Sequence, residues 1–63
     1  MIQEYDEVII NESGIRGTVI DIYKAQGIVF YTVESDERGV PGGWGQDDNY
    51  KLFTCRIEEL TKI

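Results

Sequence analysis

The segments GTVIDIY (residues 17–23) and IVFYTVE (residues 28–34) decide the fold of this chain. Both are rich in β-branched and aromatic residues, which favour strands, and only residues 24–27 separate them. A connection this short is typical of a β-hairpin. Because a chain of 63 residues has room for one domain only, the hairpin predicts a single all-β domain that spans residues 1–63.

The sequence on either side of the hairpin predicts further short strands. Residues 7–11 form an apolar run too short for a helix, and residues 50–57 alternate roughly between apolar and polar. Residues 58–60 are expected to form one helical or 3₁₀ turn that places Leu60 in the core. Gly17, at the start of the first hairpin strand, predicts a bulge or a close approach of two backbones, because glycine weakens a regular strand.

The hairpin strands are apolar at nearly every position. This pattern favours burial on both faces, or a strongly bent strand that serves two faces of a barrel. A period of two places Val29, Tyr31 and Val33 on one face, and either face is a candidate for the core. Four to five short antiparallel strands of this kind predict a small, strongly bent, SH3-like barrel, because closing a sheet removes its edges.

A long glycine-rich loop is predicted over residues 35–49, which hold four of the seven glycines and the only proline. Loops of this length in compact domains are usually functional or disordered. Trp44 lies between glycines in this loop. It either folds back as a lid over an open end of the barrel or is displayed to a partner, since tryptophan is enriched at binding hot spots.

Composition argues against an enzyme. The chain has no histidine and a single cysteine, Cys55, which excludes an internal disulfide and a Cys/His zinc site. A set of nucleophile, base and orienting group cannot be assembled from the usual residues, so no catalytic residue, cofactor or metal is expected. Asp47 and Asp48 offer oxygen ligands without the spacing of a calcium-binding loop. Cys55 is expected to be a buried, inert thiol.

The charge balance favours a basic protein as partner. The chain carries 12 Asp and Glu against 6 Lys and Arg, a net charge of -6. Contacts with nucleic acid or with an anionic membrane depend on clustered Lys and Arg, so both are disfavoured. No run resembles a secretion signal or reaches transmembrane length, and an unpaired cysteine is typical of a reducing compartment. The expected location is therefore cytoplasmic.

Three short motifs and one further residue carry a resemblance to a known group of proteins: Tyr5-Asp6-Glu7-Val8, Arg16-Gly17-Thr18-Val19-Ile20 and Tyr31-Thr32-Val33-Glu34, followed by Leu60. Their order resembles small bacterial SH3-like barrel proteins of unknown function, in the DUF4926-like and KOW-like neighbourhood. The resemblance implies the fold and leaves the function open. KOW-type barrels that contact nucleic acid carry basic loops, whereas these loops are acidic. Peptide-binding SH3 domains carry aromatics in the first loop, and residues 11–14 have none.

The sequence predicts a protein-interaction module or an accessory subunit that binds a protein with a basic surface. Trp44 is the expected apolar anchor, and Tyr50, where the binding loop ends, is expected to belong to the same binding surface. The charged rim is expected to comprise Asp36, Glu37, Asp47 and Asp48.

Three other functions remain open on the sequence. One is an acidic inhibitor or immunity-type protein that mimics nucleic acid, and another is a structural protein that forms a homo-dimer or larger oligomer through strand edges. A KOW-like nucleic-acid binder is the least favoured. It would need four cations on one side, namely Arg16, Lys24, Lys51 and Arg56.

Overall fold

The computed structural model describes all 63 residues. The chain forms one five-stranded antiparallel sheet and a single 3₁₀ turn, which loops and turns connect. The strands are β1 (Glu7–Ile10), β2 (Arg16–Ala25), β3 (Ile28–Arg38), β4 (Tyr50–Cys55) and β5 (Leu60–Lys62), and the 3₁₀ turn is Ile57–Glu59. Their order in the sheet is β4-β3-β2-β1-β5, which confirms the all-β prediction. Strands β4 and β5 do not pair with each other, so the sheet is not closed. No helix is long and apolar enough to cross a membrane.

The central hairpin ends in a two-residue turn. Ala25 pairs with Ile28, which leaves Gln26 and Gly27 between the strands with φ angles of 53° and 79°. Two consecutive positive φ angles match the twist of the strands they connect. The strands therefore extend further into the connection than the sequence indicated.

Gly17 lies where β2 passes very close to β3. A Cβ atom at this position would lie 2.5 Å from both the carbonyl oxygen of Glu34 and Cγ1 of Val33. The predicted close approach is thus confirmed. The register of β2 against β3 shifts between Val19 and Asp21, so the bulge itself lies at Ile20. A bulge bends its strand and increases its twist, which lets β2 curve around a very small interior.

The core is built on three fully buried valines, Val8, Val19 and Val33. The remaining buried apolar residues around them are Ile2, Ile10, Tyr31, Cys55 and Leu60. On β3 the core face is therefore the one that carries Tyr31 and Val33, and Leu60 occupies the predicted place.

The tip of the hairpin extends beyond the core. Val29, Ile28 and Tyr23 are exposed there, and the Tyr23 ring stacks on the half-buried Phe30 ring at 5.5 Å between centroids. The expectation of burial on both faces is therefore wrong at this end of the hairpin.

Strand β3 continues through Arg38, so the predicted loop 35–49 starts too early and the actual connection comprises residues 39–49. The cause is Ser35, which is only 2% exposed. Its hydroxyl donates to the Glu37 carbonyl at 2.8 Å and accepts from the Lys51 backbone N–H at 2.9 Å. The register of β3 against β4 shifts between Glu34 and Arg38. The two Ser35 bonds connect β3 to β4 at this shift, so the strand continues to Arg38 although residues 35–38 are polar.

We expect Gly17→Ala to lower the free energy of unfolding by about 3 kcal/mol, because the added methyl overlaps a backbone carbonyl that cannot move freely. Gly14→Ala is the matched control: its φ is +77° with no atom within 4 Å, so only backbone strain of roughly 1 kcal/mol is expected. Urea denaturation measures both. Equal losses in the two variants would contradict the close approach at Gly17.

Candidate functional site

The connection between β3 and β4 is a shaped loop, which we call the Trp44 loop (residues 39–49). All four of its glycines have positive φ angles, between 63° and 134°, a region that other residues rarely adopt. The Gly39 N–H donates to the Asn49 carbonyl at 3.0 Å and closes the base of the loop. The glycines therefore set a defined path rather than only supplying flexibility.

Lys51 holds the loop from beneath. This lysine is only 7% exposed, and its Nζ donates to the carbonyls of Val40 at 3.2 Å and Gly42 at 3.4 Å. A buried ammonium group is costly unless it is hydrogen-bonded. The two carbonyls satisfy that requirement, so the side chain and the loop fix each other in place.

Trp44 is anchored by its backbone and displayed by its side chain. Its N–H and C=O each bond to Leu52 of β4 at 2.9 Å, which forms an isolated antiparallel bridge. The neighbouring Gly43 permits this path, because a Cβ there would lie 2.8 Å from the Leu52 carbonyl oxygen and from Cζ of Phe53. The Trp44 side chain is 59% exposed and therefore does not act as a buried lid.

A groove of about 670 Å³ lies beside the loop, between β4 and the end of β1. Its walls are residues 41–43 of the Trp44 loop, the β1–β2 turn (residues 11–15) and the 3₁₀ turn. Apolar atoms reach it from Ile10, Ile15, Phe53 and Cys55. Its charged lining residues are Glu12, Glu58 and Glu59, and no lysine or arginine lines it.

Asn11 joins two walls of this groove. Its backbone N–H donates to the Glu59 carbonyl at 2.9 Å, and its Nδ2 donates to the Glu58 carbonyl at 3.4 Å. Thr61 Oγ1 donates to Asn11 Oδ1 at 2.6 Å. The β1–β2 turn and the 3₁₀ turn are thereby held at a fixed separation.

The two carboxylates of the 3₁₀ turn have different partners. Glu59 Oε1 accepts from the Arg56 backbone N–H at 2.7 Å, which caps the turn. Glu58 Oε2 lies 3.8 Å from Arg56 Nε in an exposed ion pair, a kind of contact that contributes little to stability. Glu58 therefore remains accessible to a further cation.

Cys55 forms part of the apolar floor. The thiol is buried, as the sequence predicted. Its pKa is raised by burial and, to a lesser extent, by the negative charge of Glu59. Both effects keep the group as a neutral thiol, so it contributes apolar surface rather than a nucleophile.

The structure divides the residues predicted as one binding surface. Asp36 and Glu37 line a second depression of about 390 Å³, which also contains Arg16 and shares Ser13 and Ile15 with the groove. Asp47 and Asp48 lie in the exposed part of the Trp44 loop. The Tyr50 ring lies 5.1 Å below the Arg38 guanidinium group, so it contacts a neighbouring strand as well as closing the loop.

Sequence reasoning missed Glu12 and Ile15 as groove residues and assigned Glu58 and Glu59 only to the predicted turn over residues 58–60. Only the placement of the 3₁₀ turn before Leu60 pointed to this end of the molecule. No group of three or more His, Cys, Asp or Glu side chains is arranged to hold a metal ion.

A second acidic feature lies on the face of the sheet opposite the core. Thr18 Oγ1 lies 3.1 Å from Glu7 Oε1 and 3.4 Å from Asp36 Oδ1, and Glu34 pairs directly opposite Thr18. The Asp36 carboxyl raises the pKa of Glu7 by hydrogen bonding to its protonated form, and the Thr18 hydroxyl acts in the opposite direction. This acidic row is Glu7, Glu34 and Asp36.

Comparison with known proteins gives no match to a family model, a curated protein or a solved structure. The site is therefore interpreted from its own residues.

We expect Lys51→Met to loosen the Trp44 loop locally. Methionine keeps the apolar volume but removes two charge-assisted bonds, each worth roughly 1.5–3 kcal/mol. NMR-detected hydrogen exchange should show the Trp44 and Leu52 amides opening at least about tenfold more often, while the Val19 amide is unchanged. Lys24→Met, at the exposed end of β2, is the control. Equal exchange at Trp44 in both variants would contradict the role of Lys51.

We expect Glu7→Gln to raise the melting temperature at neutral pH. The pKa of Glu7 is raised in the folded protein. The contribution of Glu7 to the free energy of unfolding is therefore fully present at pH values below its pKa in the unfolded chain, and it is lost as the pH rises through its pKa in the folded protein. The gain from the variant should therefore disappear below about pH 4, where free glutamate is protonated. Thermal unfolding of both proteins between neutral pH and about pH 3 measures this difference in melting temperature. A gain that persists in acid would contradict the interaction between the Glu7 and Asp36 carboxyl groups.

Asp6→Asn provides a control of opposite sign. The Gln3 backbone N–H, at 2.8 Å, lowers the pKa of Asp6, and Lys62 Nζ, at 3.3 Å, lowers it further. Its contribution to stability is therefore present above the unfolded pKa and is lost as pH falls through the folded pKa. This variant should be less stable than the wild type at neutral pH, with a difference that shrinks in acid.

Proposed function

We propose that this chain is a small SH3-like barrel domain that acts as a protein-interaction module or accessory subunit. The order of elements supports the fold: each of β1, β2 and β3 pairs with the strand that follows it, a 3₁₀ turn follows β4, and β5 returns to pair with β1. The sheet curves around one small core. We further propose a cytoplasmic setting, which the single free cysteine supports.

The observation that carries the function is an exposed tryptophan on a loop whose backbone is already fixed. Exposed tryptophan is a common anchor of protein interfaces because it buries a large apolar area in a partner. Lys51 and Leu52 hold the backbone around Trp44. Prior ordering lowers the entropic cost of binding, so the loop is suited to present this side chain rather than to fold around a partner.

The charges of the same region favour a basic partner surface. Asp47 and Asp48 are exposed in the loop, and the groove behind it has carboxylates as its only charged lining. Lys51, a cation of this region, is occupied with loop carbonyls. Its burial also disfavours the KOW-like function, which would need that cation for phosphate contacts.

A second candidate is the acidic inhibitor that mimics nucleic acid. The observation in its favour is the acidic row of Glu7, Glu34 and Asp36 on one face of the sheet. The homo-oligomer is a weaker candidate, because the Trp44 backbone covers the free edge of β4 at Leu52 and leaves less edge for pairing.

We expect Trp44→Ala to lower capture of the partner from a lysate of the source cells by at least about tenfold, which is the usual scale for loss of an aromatic hot spot. Quantitative mass spectrometry of tagged wild type and variant, at low and high salt, makes the measurement. Tyr5→Ala, which removes a more exposed aromatic elsewhere, is the control and should leave capture unchanged.

The salt dependence separates the two candidates. A partner that depends on Trp44 and is retained at high salt supports an apolar anchor on the loop. Capture that survives Trp44→Ala but disappears at high salt supports the acidic inhibitor, because exposed charge pairs are screened. Absence of any specific partner would contradict the interaction module.

A further inference from the structure

The free edge of β4 is covered at one point and open at the next. In an antiparallel strand, alternate residues direct their N–H and C=O groups to opposite sides. Leu52 directs both groups away from β3, since they bond to Trp44. Thr54, two residues further along, therefore directs its backbone groups to the same free edge, where no strand of this chain pairs with it.

This open edge borders the groove. Thr54 is one of its lining residues, and the groove lies between β4 and β1, which do not pair with each other. Residues 41–43 form one wall and the β1–β2 turn with the 3₁₀ turn forms the other. The groove thus combines unpaired backbone groups, an apolar floor and walls that hydrogen bonds hold in place.

We propose that the groove binds an extended, cationic segment of a partner protein, which adds a short strand to β4 at Thr54 and directs lysine or arginine side chains to Glu12 and Glu58. This inference rests on the proposed function and identifies the partner's binding segment. The segment contacts Ile15 and Phe53 with its alternate apolar side chains, because successive side chains of an extended segment point to opposite sides.

Charge complementarity decides the occupant. The groove carries three carboxylates and no lining cation, so an acidic or neutral segment would leave those charges uncompensated when it displaced water. Glu59 is already bonded to the Arg56 N–H, whereas Glu12 has no ion pair and Glu58 has only the loose one to Arg56. A second copy of this chain fits poorly, because it carries the same net charge of -6.

The test titrates ¹⁵N-labelled protein with a synthetic octapeptide of alternating lysine and valine. We expect the largest NMR shift changes at the amides of Thr54, Cys55 and Gly42. An alternating glutamate and valine peptide should cause none. A lysine and valine peptide that is N-methylated at its central residues should bind at least about tenfold more weakly, because it lacks the N–H groups for strand pairing.

Matched variants test the charges. Glu12→Gln combined with Glu58→Gln should weaken binding of the lysine and valine peptide roughly fivefold, the scale expected for two exposed ion pairs. Glu4→Gln combined with Asp21→Asn removes the same net charge outside the groove and should change it less than about twofold. Equal weakening by both pairs would overturn the inference, since net charge alone would explain it.

Other outcomes also decide the inference. Shifts confined to the Trp44 indole or to the acidic row would place the peptide elsewhere and overturn it. Absence of binding at millimolar peptide would overturn it as well, whereas the interaction module would stand if capture still depended on Trp44. If partner capture did not depend on Trp44, the proposed interaction module would be contradicted, whatever the peptide titration showed.

Discussion

A buried ammonium group fixes the part of this molecule that faces a partner. Lys51 lies in the interior with its Nζ on the Val40 and Gly42 carbonyls, and Ser35 accepts a bond from its backbone. Moving the loop would remove both hydrogen-bond partners of this ammonium group, and a bond to a charged group contributes roughly 1.5–3 kcal/mol. The groove wall and the bridge at Trp44 both depend on this one lysine. A buried polar residue outside the apolar core therefore fixes this part of the surface.

The small interior explains why so many large side chains are outside it. The fully buried side chains are valines, and β2 approaches β3 so closely at Gly17 that no Cβ fits between them. A chain of this length buries only about 60% of the surface that it exposes when unfolded. Tyr31 is the one aromatic that enters the core, and Trp44 remains on the surface even though its backbone is bonded to β4. Exposure of this tryptophan follows from tight packing as well as from loop geometry.

The sequence predicted the features that depend on local patterns. The hairpin, the close approach at Gly17 and the burial of Cys55 all follow from propensity and spacing. The predicted turn exists as well, but it spans Ile57–Glu59 instead of residues 58–60, and β4 ends at Cys55 instead of residue 57. The errors involve contacts between distant residues. Polar residues continue β3 to Arg38 because Ser35 meets Lys51 across the sheet, and nothing near either residue signals that contact. The groove joins parts of the chain more than 40 residues apart, such as Asn11 and Glu58, so its acidic lining could not be assigned from the sequence.

Two acidic surfaces are candidates for contact with a partner. One is the groove with Trp44 beside it, and the other is the row of Glu7, Glu34 and Asp36. Hydrogen–deuterium exchange of the protein with its captured partner bound distinguishes them most directly. We expect slower exchange in residues 42–44 and at Thr54, with the acidic row unchanged. Protection confined to β1, the first half of β2 and the second half of β3, where the acidic row lies, would contradict the assignment of the Trp44 loop and groove as the binding surface.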